Sequence, residues 1–152
     1  MDRPSCEVWF YHLERASLEQ VLPDLLEKTL ARGWRARIRA QAPGRLEAID
    51  NWLWTYRDDS FLPHGVTGEP FAERQPILLG EAQGNPNDAH ALFVVDGDPG
   101  DLAPYARCVV IFDGRQEAEL QAARGLWSRY KRAGGPVAYW RQGETRGWDR
   151  QG

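Results

Sequence analysis

The spacing of hydrophobic residues predicts that strands and helices alternate along the chain. Residues 7–13 (EVWFYHL) are a short apolar and aromatic run, typical of a strand buried on both faces. Residues 17–33 then keep a helical i, i+3, i+4 spacing of apolar positions without a break. Ser17 and Gln20 form a capping-box pattern, and Gly33 marks the end of the helix. The chain therefore begins as a β-α unit.

The same reasoning extends over the rest of the chain. Two more helices are predicted, over residues 45–56 and 116–133, and five more strands, over residues 34–41, 76–80, 91–95, 106–113 and 137–140. The segment 57–75 is predicted to be a long loop, and the polar residues 141–152 are expected to fray. This order predicts a three-layer, Rossmann-like α/β domain with a mostly parallel sheet over residues 1–142, followed by a polar tail over 143–152.

The predicted strand over residues 34–41 alternates apolar residues with arginines. One face carries Ala36, Ile38 and Ala40, and the other carries Arg35, Arg37 and Arg39. Such alternation is typical of a strand near a sheet edge with one solvated face. Direct DNA binding by the three arginines is the less favoured alternative, and steep salt dependence of binding to bare DNA would reveal it.

Composition is that of one folded domain. The chain has 152 residues, of which 42% are hydrophobic and 27% are charged. No apolar run approaches the roughly 18 residues of a membrane-spanning helix, and the first residues lack the apolar stretch of a signal peptide. We therefore expect the cytoplasm, and we interpret Cys6 and Cys108 as reduced thiols in buried strands.

Charge is distributed unevenly along the chain. The formal net charge is −3, but residues 115–152 hold eight positive and four negative side chains, so that segment is +4 and the remainder is −7. A basic segment on an acidic body favours a local site for an acidic partner.

The last predicted helix places a tryptophan between two cations. Its core stripe comprises Ala123, Leu126, Tyr130 and Ala133. Arg124 and Lys131 share another face, which Ser128 completes, and Trp127 lies at the border. This pattern suits an extended acidic segment whose apolar end group enters a depression beside Trp127 and Tyr130. A merely basic solvent face explains the spacing equally well.

The fingerprints of nucleotide and metal chemistry are missing from the sequence. Neither a G-x-G-x-x-G after the first strand nor a G-x-x-x-x-G-K-[ST] occurs, so we predict no NAD, ATP or other cofactor. The histidines lack the spacing of metal ligands. An α/β enzyme acting on a nucleotide or phosphate, with Asp96, Asp113 or His64 in its site, remains the alternative to a binding module.

Four segments give the chain a family resemblance. They are VWFYHL, LEAIDNWLWTYRDDSFLPHG, VVIFDG and ARGLWSRYKRAGGPVAYW, and they fall between residues 8 and 148. In these segments the chain resembles the chi subunits of the bacterial DNA polymerase III clamp-loader assembly. The second segment is the most specific, because Leu-Trp-Thr-Tyr at a helix end is followed closely by Ser-Phe-Leu-Pro-His.

The resemblance implies a non-catalytic adaptor in replication, with a Rossmann-like fold that lacks a working nucleotide site. Chi subunits pair with the small psi subunit, which tethers them to the clamp loader, although some members occur without a recognisable psi. They also bind the acidic, Phe-terminated tail of single-stranded DNA-binding protein. Some members bind a helicase-like repair partner through the psi surface. DNA is then contacted only indirectly.

The resemblance also assigns residues. The tail-binding helix of the family corresponds here to Arg124, Trp127, Tyr130 and Lys131, with Ser128 on the same face. The psi-contacting surface corresponds to Trp54 and Phe61, with Leu62 beside them. The helical wheel separately places Trp54 off the core face. Some members carry a basic residue at the positions of Leu120 and Ser128, a difference that bears on the strength or path of tail binding here.

Overall fold

The fold is described by a computed structural model for residues 6–56, 62–80, 84–142 and 148–151. The strands are β1 (Glu7–Leu13), β2 (Ala36–Arg39), β3 (His64–Val66), β4 (Ile77–Leu79), β5 (Ala91–Val94), β6 (Arg107–Asp113), β7 (Val137–Gln142) and β8 (Trp148–Arg150). The helices are α1 (Leu18–Ala31), α2 (Arg45–Thr55) and α3 (Glu117–Arg132), and a 3-10 helix spans Ala72–Arg74. Within these ranges, every helix is too short or too polar to cross a lipid bilayer.

The strands form one mixed sheet between two layers of helices. Its order is β3-β4-β2-β5-β6-β1-β7-β8, and every pair is parallel except β7 with β8. Helices α1 and α2 cover one face, where Leu22 and Leu53 share a core with Tyr11. Helix α3 covers the other face, where Ala123 shares a core with Phe10. The predicted three-layer α/β architecture is confirmed.

Strand β1 lies between β6 and β7 in the sheet and contributes side chains to the cores on both faces. Tyr11 and Leu13 face α1, whereas Val8 and Phe10 face α3, as the two-residue period of a strand requires. This confirms a strand buried on both faces. In the parallel register with β7, Phe10 lies opposite Tyr139, which brings two aromatic rings beneath α3.

Helix α1 begins and ends as its sequence predicts. The Ser17 hydroxyl accepts a hydrogen bond from the Gln20 backbone N–H at 3.3 Å, and the Gln20 side chain accepts one from the Ser17 backbone N–H at 2.9 Å. Gly33 follows the helix with φ +86°, a left-handed conformation that glycine adopts without steric cost. The reciprocal capping bonds satisfy N–H groups that have no partner inside the helix.

The prediction of a solvated arginine face on β2 is wrong. Strand β2 lies between β4 and β5, and Arg37 and Arg39 are 0% exposed. Arg37 donates to the carbonyl oxygen of Gly84 at 3.4 Å, and Arg39 donates to that of Pro99. Arg35 alone is exposed among the three arginines. Backbone carbonyls from the segments before and after β5 bury these guanidinium groups, so the arginines cannot form a DNA-binding stripe.

Three short elements are absent from the sequence prediction. Strand β3 and the 3-10 helix lie within the segment 57–75, for which the sequence predicts a long loop. Strand β8 pairs antiparallel with β7, opposing Trp148 to Gln142 and Arg150 to Trp140. Residues 141–142 and 148–150 are therefore part of the sheet, which corrects the expectation that 141–152 frays.

Both cysteines are free thiols. Cys108 is fully buried in β6, and Cys6 is half-buried just before β1. Burial raises the pKa of Cys6 to about 11 and raises the pKa of Cys108 as well. Thiols of this kind stay protonated at neutral pH, as expected for core residues.

Candidate functional site

Helix α3 carries opposite charges at its two ends. Glu117 and Glu119 lie in its first turn, and Arg129, Lys131 and Arg132 lie in its last turn. This arrangement complements the helix dipole, which favours anions at the N-terminus and cations at the C-terminus. The basic end of α3 is therefore compatible with helix stability.

Trp127 is a half-buried anchor on this helix. Its ring makes edge-to-face contacts with Phe10, at a centroid distance of 5.5 Å and an angle of 76°, and with Tyr139, at 5.5 Å and 89°. The Nζ atom of Lys131 lies 5.2 Å from the centre of the indole ring. Edge-to-face packing fixes the plane of the indole, and the adjacent cation attracts anionic groups to its exposed side.

Tyr139 links Trp127 to His12. The Tyr139 hydroxyl lies 2.6 Å from His12 Nδ1. Burial lowers the pKa of His12, and the positive charges of Arg141 and Arg124 lower it further. Arg124 is exposed on α3. Burial raises the pKa of Tyr139 and the charge of Arg124 opposes this rise, so the Arg124 guanidinium lies within electrostatic range of the aromatic cluster that holds Trp127.

An apolar hollow lies beside Tyr130. Its volume is about 390 Å³, and its walls include Leu102 and Val137. The Tyr130 hydroxyl accepts a hydrogen bond from Arg129 at 3.0 Å, and Arg129 also pairs with Asp98 at 2.9 Å. The depression was predicted beside both Trp127 and Tyr130. The hollow is lined by Tyr130 and not by Trp127, whose ring packs against the rings of Phe10 and Tyr139.

The structure places most of the predicted tail-binding residues on one face. Arg124, Ser128 and Lys131 are exposed, and Trp127 and Tyr130 are half-buried. Ala133, which the wheel placed in the core stripe, is exposed, because α3 has ended at that point and Ala133 lines the hollow.

The second predicted surface is centred on Trp54, whose side chain is 56% exposed on α2. Its ring contacts His64 at a centroid distance of 4.8 Å. His64 is buried, with Nε2 2.9 Å from Asp50 Oδ1 and Nδ1 2.7 Å from the carbonyl oxygen of Leu62. Leu62 is only 3% exposed and packs in the core, so it is removed from the predicted contact surface. Phe61 lies outside the described residues.

Sequence reasoning missed a second exposed aromatic residue. Phe71 is 65% exposed and has φ +61°, a left-handed conformation that is uncommon for a bulky residue. The Arg74 guanidinium lies 5.1 Å from its ring. Phe71 follows Gly68 and Pro70 in a turn-rich segment, where no periodicity indicates which face a side chain takes.

The acids of the enzyme alternative perform structural roles. Asp96 accepts hydrogen bonds from the backbone N–H groups of Gln41 and Ala42, which anchors the segment after β2. Asp113 pairs with Arg115 at 2.8 Å, and this hydrogen bond lowers the pKa of the carboxyl group. A lowered pKa is the opposite of what general acid catalysis near neutral pH favours for Asp113.

A crevice of about 320 Å³ lies at the carboxyl ends of β1 and β6, where Rossmann folds bind nucleotides. Glu19, Asp113 and Glu119 line it, and Arg45 and Arg115 lie among them. Three carboxylates disfavour a phosphate. Within the described ranges, His, Cys, Asp and Glu side chains form no cluster of three suited to a metal ion.

The family model and the curated relatives that match this chain carry the same family name. Residues 6–138 match the family described as DNA polymerase III chi subunit, HolC. The probable DNA polymerase III subunit chi of Rickettsia prowazekii is 29% identical over 93 residues, which cover 61% of this chain and 55% of that protein. The DNA polymerase III subunit chi of Pseudomonas aeruginosa is 26% identical over 118 residues, which cover 78% of this chain and 82% of that protein. The chain therefore belongs to the DNA polymerase III chi subunit family, whose members are accessory replication subunits and not catalytic ones.

Proposed function

We propose that this protein is a non-catalytic adaptor that links the DNA polymerase III clamp loader to single-stranded DNA-binding protein. One surface would bind the psi subunit, and another would bind the acidic C-terminal tail of single-stranded DNA-binding protein. The observation that carries this proposal is the fixed, half-exposed ring of Trp127 with Lys131 beside it. Contact with DNA would be indirect.

The chemistry of α3 supports an acidic peptide that ends in an aromatic residue. Arg124 and Lys131 would pair with its carboxylates, and the exposed Ser128 hydroxyl offers a hydrogen bond on the same face. The terminal phenyl ring would enter the hollow beside Tyr130, where apolar side chains form most of the wall. Trp127 would hold the peptide between these two contacts.

The Trp54 surface supports the psi subunit as the second partner. An exposed indole on an ordered helix is the kind of anchor that enters a pocket on a partner protein. A helicase-like repair partner would use the same surface and would therefore compete with psi.

Titration with a tail peptide tests the proposal. A labelled peptide with an acidic stretch and a C-terminal Phe is added to wild-type protein, Arg124→Ala and Arg132→Ala, and fluorescence anisotropy reports binding. Loss of a charge-assisted hydrogen bond should weaken binding to Arg124→Ala by about tenfold. Arg132→Ala, which removes an exposed cation outside the predicted face, should bind nearly as wild type does.

The same titration separates a site from general attraction. Affinity should fall as salt rises, because exposed charges are screened. A peptide without its Phe should bind more weakly at every salt concentration, because apolar burial is not screened. Equal losses in the two variants would indicate diffuse electrostatics, and full affinity without the Phe would remove the hollow from the proposal.

A further inference from the structure

A small cavity lies beneath the C-terminal half of α1, on the sheet face opposite α3. Its volume is about 140 Å³. Leu25, Phe93 and Val109 supply apolar walls, and Trp9 and Trp34 supply aromatic ones. The cavity is large enough for one six-membered ring, and it shares no residue with the proposed tail site or with the Trp54 surface.

Cations surround this cavity. Lys28, Arg32 and Arg107 all line it, and the first two are exposed. The Arg32 guanidinium lies 4.1 Å from the centre of the Trp34 ring, and that of Arg107 lies 5.1 Å from the same centre. Stacking on an aromatic face holds a guanidinium in position while leaving its N–H donors available at the edge.

Only one of these cations has a close carboxylate partner in the described structure. Arg107 donates to Glu7 Oε2 at 2.9 and 3.1 Å, and it stacks 3.7 Å from the centre of Trp9. No ion pair is found for Lys28 or Arg32 within the described ranges. The mouth of the cavity therefore carries net positive charge and favours an anionic group.

Tyr11 brings a phenol side chain to the cavity. The residue is 8% exposed and lines the cavity wall. In the part of the chain that the structure describes, its hydroxyl makes no hydrogen bond. Burial raises the pKa of Tyr11 to about 12, so the phenol stays protonated. A protonated phenol that makes no bond to the described protein can donate to, or accept from, a polar group of a bound molecule.

We propose that this cavity binds a single aromatic ring that carries a carboxylate. The ring would pack against Phe93 and Val109, the carboxylate would meet Arg32 and Lys28 at the mouth, and a polar ring substituent would bond the Tyr11 hydroxyl. A nucleotide fits less well, because its base and ribose exceed the volume of one ring and present more polar atoms than one hydroxyl can satisfy.

The first test compares matched small probes. Para-hydroxyphenylacetate, phenylacetate and tyramine are titrated against the full chain, and the indole N–H resonances of Trp9 and Trp34 are followed by NMR. The first acid should give saturable shifts with a dissociation constant of about 1 mM, as expected for so small a ligand. Phenylacetate should bind about fivefold more weakly, because it lacks the group that bonds Tyr11. Tyramine, which carries an ammonium in place of the carboxylate, should not saturate.

Variants connect these shifts to the cavity. Tyr11→Phe should abolish the preference between the two acids while keeping the affinity for phenylacetate, a result that a purely structural tyrosine would not produce. Arg32→Ala should weaken both acids about fivefold. Ala91→Val fills part of the cavity and should block binding. Arg124→Ala, on the other sheet face, should change nothing here, and Arg32→Ala should leave the tail peptide unaffected.

A further probe, an acetylated Gly-Gly-Tyr peptide with a free carboxylate, distinguishes a protein chain end from a small molecule as the ligand of the cavity. Tighter binding than the free acid assigns the site to a protein chain end, and weaker binding assigns it to a small molecule. Saturation by tyramine with equal affinity would overturn the proposal, as would acid binding that survives both Arg32→Ala and Ala91→Val. The absence of saturable shifts at millimolar acid would also overturn it.

Discussion

Trp127 and Trp54 both present an indole at a helix surface, but their surroundings differ. Trp127 is half-buried, rests edge-on against Tyr139 and has the Lys131 ammonium 5.2 Å from its ring. Trp54 is 56% exposed and rests against the ring of the buried His64. The first ring belongs to a cationic face, whereas the second is an apolar projection on an acidic part of the chain. We therefore expect the two surfaces to select partners of different chemistry.

The supporting residues sharpen this difference. The His64 ring that contacts Trp54 lies beside a carboxylate, with His64 Nε2 2.9 Å from Asp50 Oδ1. The cations near Trp127, by contrast, lie on the outer face of α3. Binding at Trp54 should depend little on salt, while binding at Trp127 should weaken as salt screens the cations.

Removal of the Trp54 indole should produce the largest effect, on binding of the psi subunit. Trp54→Ala should weaken binding of the psi subunit by roughly 2 kcal/mol, a loss of about thirtyfold in affinity, as for an interface hot spot. Isothermal titration calorimetry with purified psi measures this loss. Thermal melting should be nearly unchanged, because most of the Trp54 side chain is already in solvent.

Phe71→Ala is the matched control for that experiment, because it removes another large exposed ring. A comparable loss of affinity would extend the psi surface to Phe71, and wild-type affinity would confine the surface to Trp54. Unchanged psi binding by Trp54→Ala would contradict the assignment of this surface.

A substitution beside His12 should affect the tail peptide and spare psi. A Cβ atom on Gly114 would lie 1.8 Å from His12 Nε2, so Gly114→Ala must displace the imidazole from Tyr139. We expect the free energy of unfolding to fall by about 1–3 kcal/mol, as in other overpacked sites. Tail-peptide affinity should also fall, because Tyr139 supports the Trp127 ring, while psi binding should persist.

Gly125→Ala on α3 provides the control for added volume. Nothing lies within 4 Å of its added Cβ, and alanine favours the helix over glycine by about 1 kcal/mol. Urea denaturation should therefore show stabilisation for this variant. Wild-type stability of Gly114→Ala would mean that the His12–Tyr139 contact does not support the tail-binding face.

Periodicity predicted the elements that bury an apolar stripe. Strand β1 and helices α1 and α3 follow their patterns closely, because apolar spacing and caps such as Ser17 reflect local physics. The wheel of α3 also placed Trp127 correctly at the border between core and surface. The position of the hollow could not be predicted in this way, since its walls come from segments distant in sequence.

Tertiary contacts decided the remaining cases. The alternation of Arg37 and Arg39 with apolar residues looks the same whether the arginines meet water or backbone carbonyls, and the carbonyls of Gly84 and Pro99 are remote in sequence. Strand β8 is three residues long and depends on its pairing with β7. A short polar strand of this kind carries no periodic signal.

Two separate surfaces should let psi and the tail peptide bind at the same time, and a ternary titration is the direct test. Tail-peptide affinity is measured by fluorescence anisotropy with and without saturating psi, at low and at high salt. We predict dissociation constants that agree within about twofold with and without psi, because independent sites show no coupling free energy. Rising salt should weaken the peptide and leave psi bound. Displacement of the peptide by psi, or equal salt dependence of the two partners, would contradict the presence of two independent surfaces.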